Sequence, residues 1–399
     1  MIKNKTFVIT GLQAWDTPIG SNCKNIAEEI SKYNKVLYVN YPLDRLTVHR
    51  SKNEEYVKKR LKIIKGELSC YEKVNENLTV FYPKIIIESN SKLPGKLLFY
   101  LINKLNNNRF AKEIKKALND NQITDFIHFN DSDMYRSFNL KELLNPIISI
   151  YYIRDNLIHT KYWGKHGKYI EPQLIKKSDL VVCNSLYYEE YARKYNQNSY
   201  MIGQGCDISL FQDNELLQIP DDIKHIKKPI IGYMGYLSGG RLDINLIEFI
   251  AKTRQDWSIL LVGPEDDKFK SSNLHSYKNI QFMGSRTMNE LPAYIKGFDI
   301  AMNPQTLNIF TIGNYPRKID EYLAMGKPTL ATKTKAMEYF ADSTYLANNY
   351  EEYITLIEKA LAEDSVEKQN YRKKIAAEHS WENNVAEIYK RILEKYPNI

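Results

Sequence analysis

The feature that most narrows the fold is a repeated alternation. Short runs apolar on both faces occur at residues 7–10, 36–40, 126–130, 147–153 and 179–185, and again at 229–235, 257–263, 280–284, 299–304 and 328–332. Longer stretches, several with helical spacing, separate them. A run that is apolar on both faces must be covered on both, as a strand is in a parallel sheet flanked by helices. At 399 residues the chain is long for one core and comfortable for two. The expectation is an α/β protein of two Rossmann-like domains with parallel sheets, residues 1–212 and 213–380, divided in the polar stretch at about 211–228.

Composition sets the class of partner. A net charge of +8 suits an anion, and nucleic acid, a membrane surface and a sugar nucleotide all qualify. Nucleic acid is not expected, because the tyrosines fall in strand-like runs rather than forming a stacking surface among the basic residues. The loop after the first strand lacks the G-x-G-x-x-G spacing, so NAD is not expected either. Cys23, Cys70, Cys183 and Cys206 are scattered without metal spacing, which suits thiols in a reducing compartment. Gly11 stops the first apolar run too soon for a signal sequence, and no window has the length of a spanning helix. A cytoplasmic protein is expected, with the inner face of the cell membrane as a further location. Residues 54–65 and 92–116 are strongly basic. In the second, Leu97, Leu98, Leu101, Ile102 and Leu105 recur at helical spacing beside Lys96, Lys104 and Arg109. Such a stripe is more often the core face of a domain helix, and the other reading is a helix lying on an anionic membrane.

Residues 315–328 carry the clearest chemistry. Pro316 suits the first position of a helix and Gly326 the left-handed residue past its end. Arg317 and Lys318 place two cations at the start, where stability alone would favour acids, and cations there suit a visiting anion. Lys318 and Glu321 lie three residues apart and share a face. A nucleotide sugar fits the pair, diphosphate on Lys318 and ribose hydroxyls on Glu321. A solvated surface Lys–Glu pair is the plain alternative. The helix's place at the carboxyl edge of a parallel sheet, where such folds bind ligands, weighs against it. The strand at 229–235 ends in Gly235, and the turn Ser238-Gly239-Gly240 after it would offer free N–H groups to a phosphate, with Arg241 beside them. No metal is required, although Asp131-Ser132-Asp133 is a weak D-x-D in the half away from the donor.

The run Pro316 to Ala324 with Gly326-Lys327-Pro328 resembles the donor-site signature of GT-B glycosyltransferases related to family 4, in particular bacterial enzymes of surface polysaccharide assembly, the teichuronic-acid type among them. The likeness is dense from Asp179 to Trp381 and thinner before. It implies two domains facing a cleft, with a last helix from about 381 to 399 crossing back to the first domain. By resemblance, the first loop brings Gly20 to the donor phosphates and Trp15 and Asp16 to the acceptor. A Trp15 lid packed on its own domain is the equal alternative. Tyr151 and Asp155 match a tyrosine and aspartate of the acceptor side, which makes Asp155 the catalytic candidate there, unless it caps the next helix. Gly284, Ser285 and Arg286 match the loop that holds the nucleobase. Arg241 matches the arginine of a diphosphate clamp, but Leu246 stands where its lysine is expected, so more of that task passes to Lys318. The E-x7-E pattern is broken, with Gly313 in place of the first acid. Asn308, Thr311 or Asn314 would then serve.

What the resemblance implies is transfer of a hexosyl group from a UDP- or GDP-linked sugar to a hydroxyl of a glycan or polyprenyl-linked glycan, with retention and without a cofactor. A sugar-nucleotide 2-epimerase shares the architecture but needs in-cleft acids and histidines that the sequence does not place. A non-catalytic scaffold of an assembly complex is the remaining alternative.

Overall fold

The computed structural model describes residues 1–17, 20–212 and 216–399. Residues 18–19 of the first loop and 213–215 beside the expected boundary lie outside the described residues. The chain divides into two compact units. Unit one holds residues 1–184, 188–203 and 384–399, and unit two holds 185–187 and 204–383. The division falls earlier than the expected 212/213. Phe211 is already part of unit two's core, and the Cys206 N–H donates to the His379 carbonyl at 2.8 Å. At the other end, Trp381 fills the space beside Gly205, so unit two continues to Asn383. The last helix, Trp381–Lys395, passes into unit one from Asn384 onward. There Asn34 Nδ2 donates to the Tyr389 hydroxyl at 2.9 Å.

In unit one, strands β1 (Thr6–Gly11), β2 (Lys35–Val39), β3 (Leu43–Asp44), β4 (Tyr71–Lys73), β5 (Leu78–Phe81), β6 (Ile86–Ile87), β7 (Ile127–Asp131), β8 (Ile148–Ile153), β9 (Leu180–Cys183) and β10 (Ser199–Met201) form two sheets. The larger has the order β10-β9-β8-β7-β1-β2-β5-β4, parallel except for the edge pair β4/β5, and β3 pairs with β6. Every residue of β7 and β8 is buried, which is why both read as continuous apolar runs. Helix Asn22–Ser31 starts where the Ser21 hydroxyl accepts the Lys24 N–H.

The Lys96–Asp120 helix overturns the core reading of its leucines. Leu97, Leu98, Leu101 and Leu105 are 74%, 41%, 58% and 46% exposed. The buried face carries Phe99, Phe110 and Ile114 with three asparagines, Asn103, Asn106 and Asn107. Each asparagine has a distant partner. Asn106 exchanges two hydrogen bonds with the Glu88 backbone at 2.8 and 2.9 Å, Asn107 binds the Tyr135 carbonyl and the Asn139 N–H, and Asn103 accepts from Asn90. Buried amides are tolerated because they are bonded in this way.

Unit two is a parallel sheet of β11 (Ile230–Met234), β12 (Ser258–Val262), β13 (Ile280–Gly284), β14 (Ile300–Asn303), β15 (Thr329–Thr332) and β16 (Tyr345–Ala347), in the order β13-β12-β11-β14-β15-β16. The ends of β11 and β12 approach closely. Gly235 and Gly263 have φ of +133° and +148°, and a Cβ on Gly263 would lie 1.9 Å from the Gly235 carbonyl oxygen. Only glycine fits that crossing.

Unit one contains a titratable group whose effect on stability is predictable. Glu171 is buried on helix Gly164–Lys177 and accepts from the Tyr151 hydroxyl at 2.9 Å and the Tyr191 hydroxyl at 3.2 Å. Burial lifts its carboxyl from 4.5 to about 7, against those two hydrogen bonds. The folded chain therefore holds a proton that the unfolded chain releases, and the contribution is full below 4.5 and lost as pH rises toward 7. We expect the melting temperature to fall between roughly pH 4.5 and pH 7, with up to about 3 kcal/mol at stake. Glu171→Gln should flatten that slope, and parallel curves for the two proteins would contradict the assignment.

Candidate functional site

The site is built on the carboxyl end of β11 and on the short helix Lys318–Ala324, whose cap residue is Arg317. Pro316 stands just ahead of the helix rather than in its first position, and its carbonyl accepts the Ile319 N–H at 2.9 Å. Gly326 takes the left-handed conformation at φ +70°. Two contacts fix the helix against β11. The Tyr322 hydroxyl, fully buried, accepts the Met234 N–H at 2.8 Å, and Lys318 Nζ donates to the Tyr233 hydroxyl at 2.7 Å. Gly235 permits the second, since a Cβ there would stand 3.4 Å from Lys318 Nζ.

Glu321 lies one turn further along. It is 8% exposed, and its carboxylate makes no hydrogen bond or ion pair among the described residues. Burial raises its pKa, with Arg317 and then Lys318 opposing. A nearly buried acceptor with unused lone pairs is costly unless hydroxyl or amide donors arrive, and two cations beside it keep it receptive to them.

The surrounding residues fall into two groups. Arg241 is exposed and its guanidinium has no partner among the described residues. The turn before it does not offer free N–H groups as expected: Gly239 N–H donates to Asp266 Oδ2 at 2.9 Å and Gly240 N–H to Ser238 Oγ at 3.4 Å. Asp266 was invisible as a partner because it lies 27 residues on. Gly284 ends β13 at φ +67° beside open space, and Ser285 is exposed. Arg286 is engaged instead, donating to the Tyr294 hydroxyl, to Asp222 Oδ2 at 3.0 Å and to the Ser285 carbonyl. Asn308 and Thr311 are engaged by the protein: Asn308 Oδ1 accepts the Phe310 and Thr311 N–H groups of its own loop, Asn308 Nδ2 donates to the Gly240 carbonyl, and Thr311 is buried. Asn314 is half-buried, with its side-chain amide unpartnered among the described residues.

In unit one, Asp16 is not available to an acceptor. Arg60 holds it through two hydrogen bonds of 2.6 and 3.0 Å, with both side chains 5% exposed. Trp15 packs on its own unit, edge-on to Tyr38 at 5.0 Å, and its backbone N–H donates to Asn40 Oδ1. Gly20 is exposed just ahead of the Ser21 cap. Asp155 is half exposed and pairs with Arg154 at 2.9 Å, while Arg154 also binds Asp131 through two hydrogen bonds. The D-x-D does not converge on a metal, since Asp131 pairs with Arg154 and Asp133 with Arg136 at 2.6 Å. No group of three or more His, Cys, Asp or Glu placed to hold a metal ion occurs among the described residues.

Sequence reasoning missed Tyr233, and it missed the anchor behind the helix. Asp320, fully buried, accepts from the Tyr315 hydroxyl at 2.9 Å and meets His379 Nδ1 at 2.6 Å. Burial raises its pKa and His379 opposes that most. The signal available was only an acid in a first turn, which helix electrostatics explains without a partner 59 residues away. Removing the imidazole strands that carboxylate. We expect His379→Ala to cost about 3 kcal/mol, read as a lowered thermal midpoint, and Asp320→Asn in the same chain to recover part of the loss. A midpoint unchanged in His379→Ala would show that the pair does not anchor the helix.

Residues 228–363 match the family described as Glycosyl transferases group 1. A Bacillus subtilis (strain 168) protein named as a candidate teichuronic acid biosynthesis glycosyltransferase, TuaH, is 26% identical over 241 residues. That match takes in 57% of this chain, and the chain spans only 60% of the length of TuaH. Among solved structures, HepE of Anabaena in complex with UDP superposes with a TM-score of 0.64 at 15% identity, over 99% of this chain and all of that one. Sucrose-phosphate synthase of Thermosynechococcus elongatus superposes at 0.63 with 12% identity over 100% of both chains. The fold expected from the sequence is the one found: the chain has the GT-B fold of these solved structures, and residues 228–363 match the family described as Glycosyl transferases group 1.

Proposed function

We propose that this chain transfers a hexosyl group from a nucleoside diphosphate sugar, UDP- or GDP-linked, to a hydroxyl of a glycan or lipid-linked glycan in bacterial polysaccharide assembly, at the cytoplasmic face of the membrane. The observation that carries the reading is Glu321, a nearly buried carboxylate without a hydrogen-bond donor among the described residues, one helical turn from a lysine held at a strand end. Ribose hydroxyls would supply the missing donors and the diphosphate would meet Lys318 and Arg241. The HepE structures with UDP and with UDP-glucose make uridine the first base to test.

In the proposed reaction the bond between the anomeric carbon and the diphosphate oxygen breaks through an oxocarbenium-like state. The acceptor hydroxyl adds on the face the diphosphate leaves, and the departing phosphate oxygen takes its proton, which gives retention. Most of the rate acceleration is then electrostatic, from cations placed where the leaving group gains charge. Lys318 and Arg241 supply it, and Gly235, Gly284, Ser285 and Asn314 shape the donor's surroundings. Arg286 serves through its backbone, because its guanidinium is engaged. Asp155 orients the acceptor with Arg154, and Trp15 and Gly20 line the approach. The reading calls for no cofactor.

Thermal-shift measurement with UDP, GDP and their sugar conjugates comes first, since a ligand that prefers the folded chain raises its melting point. We expect one of these to do so. Lys318→Ala should lower turnover about 100-fold or more, and Glu321→Gln should weaken donor binding about tenfold or more. Silence toward every nucleotide, or undiminished transfer by Lys318→Ala, would overturn the assignment.

A further inference from the structure

The Lys96–Asp120 helix buries asparagines and exposes leucines, the reverse of what a domain helix does. Leu97, Leu101 and Leu105 follow one another at i, i+4 and i+8, so they form one ridge, with Leu98 beside it. A contiguous apolar ridge facing water stabilises nothing in the monomer and marks a contact surface. The same face changes character toward its carboxyl end. Lys115 and Lys116 lie 18 residues, or about five whole turns, beyond Leu97 and Leu98, and Lys112 lies about three turns beyond Leu101. All three are exposed. Lys96 and Lys104 stand exposed in the leucine half of the helix, and Lys92 is exposed just ahead of it. The first acid on the helix is Glu113, and its carboxylate is taken by the Lys84 N–H at 2.8 Å.

Leucines with a run of cations on one helix face, and no free acid among them, complement one kind of surface: an apolar layer beneath a sheet of negative charge. We propose that this face docks on an anionic phospholipid bilayer, with the leucines at the boundary between headgroups and acyl chains and the lysines on the lipid phosphates. No described helix is long and apolar enough to cross a membrane, so the contact is made at the surface. The inference does not depend on the donor site, which is built from residues of unit two.

Cosedimentation of the full chain with vesicles tests it, using phosphatidylcholine alone and phosphatidylcholine with an equal part of phosphatidylglycerol. Binding to the anionic vesicles only, and weakening with added salt, is expected. The triple variant Leu97→Ser, Leu101→Ser, Leu105→Ser should bind at least about tenfold less. Lys112→Glu, Lys115→Glu and Lys116→Glu should each cost about fivefold or more. These side chains are exposed, so melting temperature and any nucleotide-induced shift should stay at the wild-type value. Equal partition of the wild type to both vesicle types, or wild-type binding by the leucine variant, would overturn the proposal. So would a wild-type oligomer that the leucine variant converts to monomer while neither protein binds lipid, because the ridge would then be a protein interface.

Discussion

The candidate site depends on a close approach of backbone to backbone. Where β11 and β12 end, Gly263 passes so close to the Gly235 carbonyl that it has no room for a side chain. That crossing lets Lys318 lie against the strand end and donate to the Tyr233 hydroxyl, which itself reaches the Tyr236 carbonyl at 3.4 Å. A side chain at Gly263 would push the strand ends apart, and one at Gly235 would crowd the Tyr233 hydroxyl and Lys318 directly. The helix behind is pinned twice more, by Tyr322 to the Met234 N–H and by Asp320 to His379 and Tyr315. The result is a cation and a carboxylate whose positions are set by the core of unit two rather than by their own flexible stems.

That rigidity gives the carboxylate its meaning. An acid in a first helical turn is ordinary. An acid 8% exposed, without a hydrogen-bond donor among the described residues, beside two cations and lifted in pKa by burial, is what carries the proposal of a ligand there. Polyhydroxylated ligands with a nearby anionic group satisfy both halves at once, which is why a nucleotide sugar accounts for the pair better than a simple phosphate would.

Much of this was legible in the sequence where the causes are local. The ten apolar runs became strands within a residue or two, because full burial leaves a mark that needs no partner to read. Lys318 and Glu321 were legible because three-residue spacing in a punctuated helix fixes their face. What escaped depends on distant residues. Asp16 looked free until Arg60, 44 positions on, closed over it, and the Gly239 N–H looked free until Asp266 took it. The Lys96–Asp120 helix was misread for the same reason. Its asparagines are buried against Glu88, Tyr135 and Asn139, and no periodicity rule assigns the core face to amides.

The central claim is that Glu321 reads ribose hydroxyls while Lys318 holds the diphosphate. The most direct measurement is calorimetric binding of UDP and of 2′,3′-dideoxy-UDP to the wild type and to Glu321→Gln. The account predicts that losing the hydroxyls costs the wild type about tenfold or more in affinity, and that the variant hardly distinguishes the two ligands. The same ratio of affinities in both proteins would contradict it.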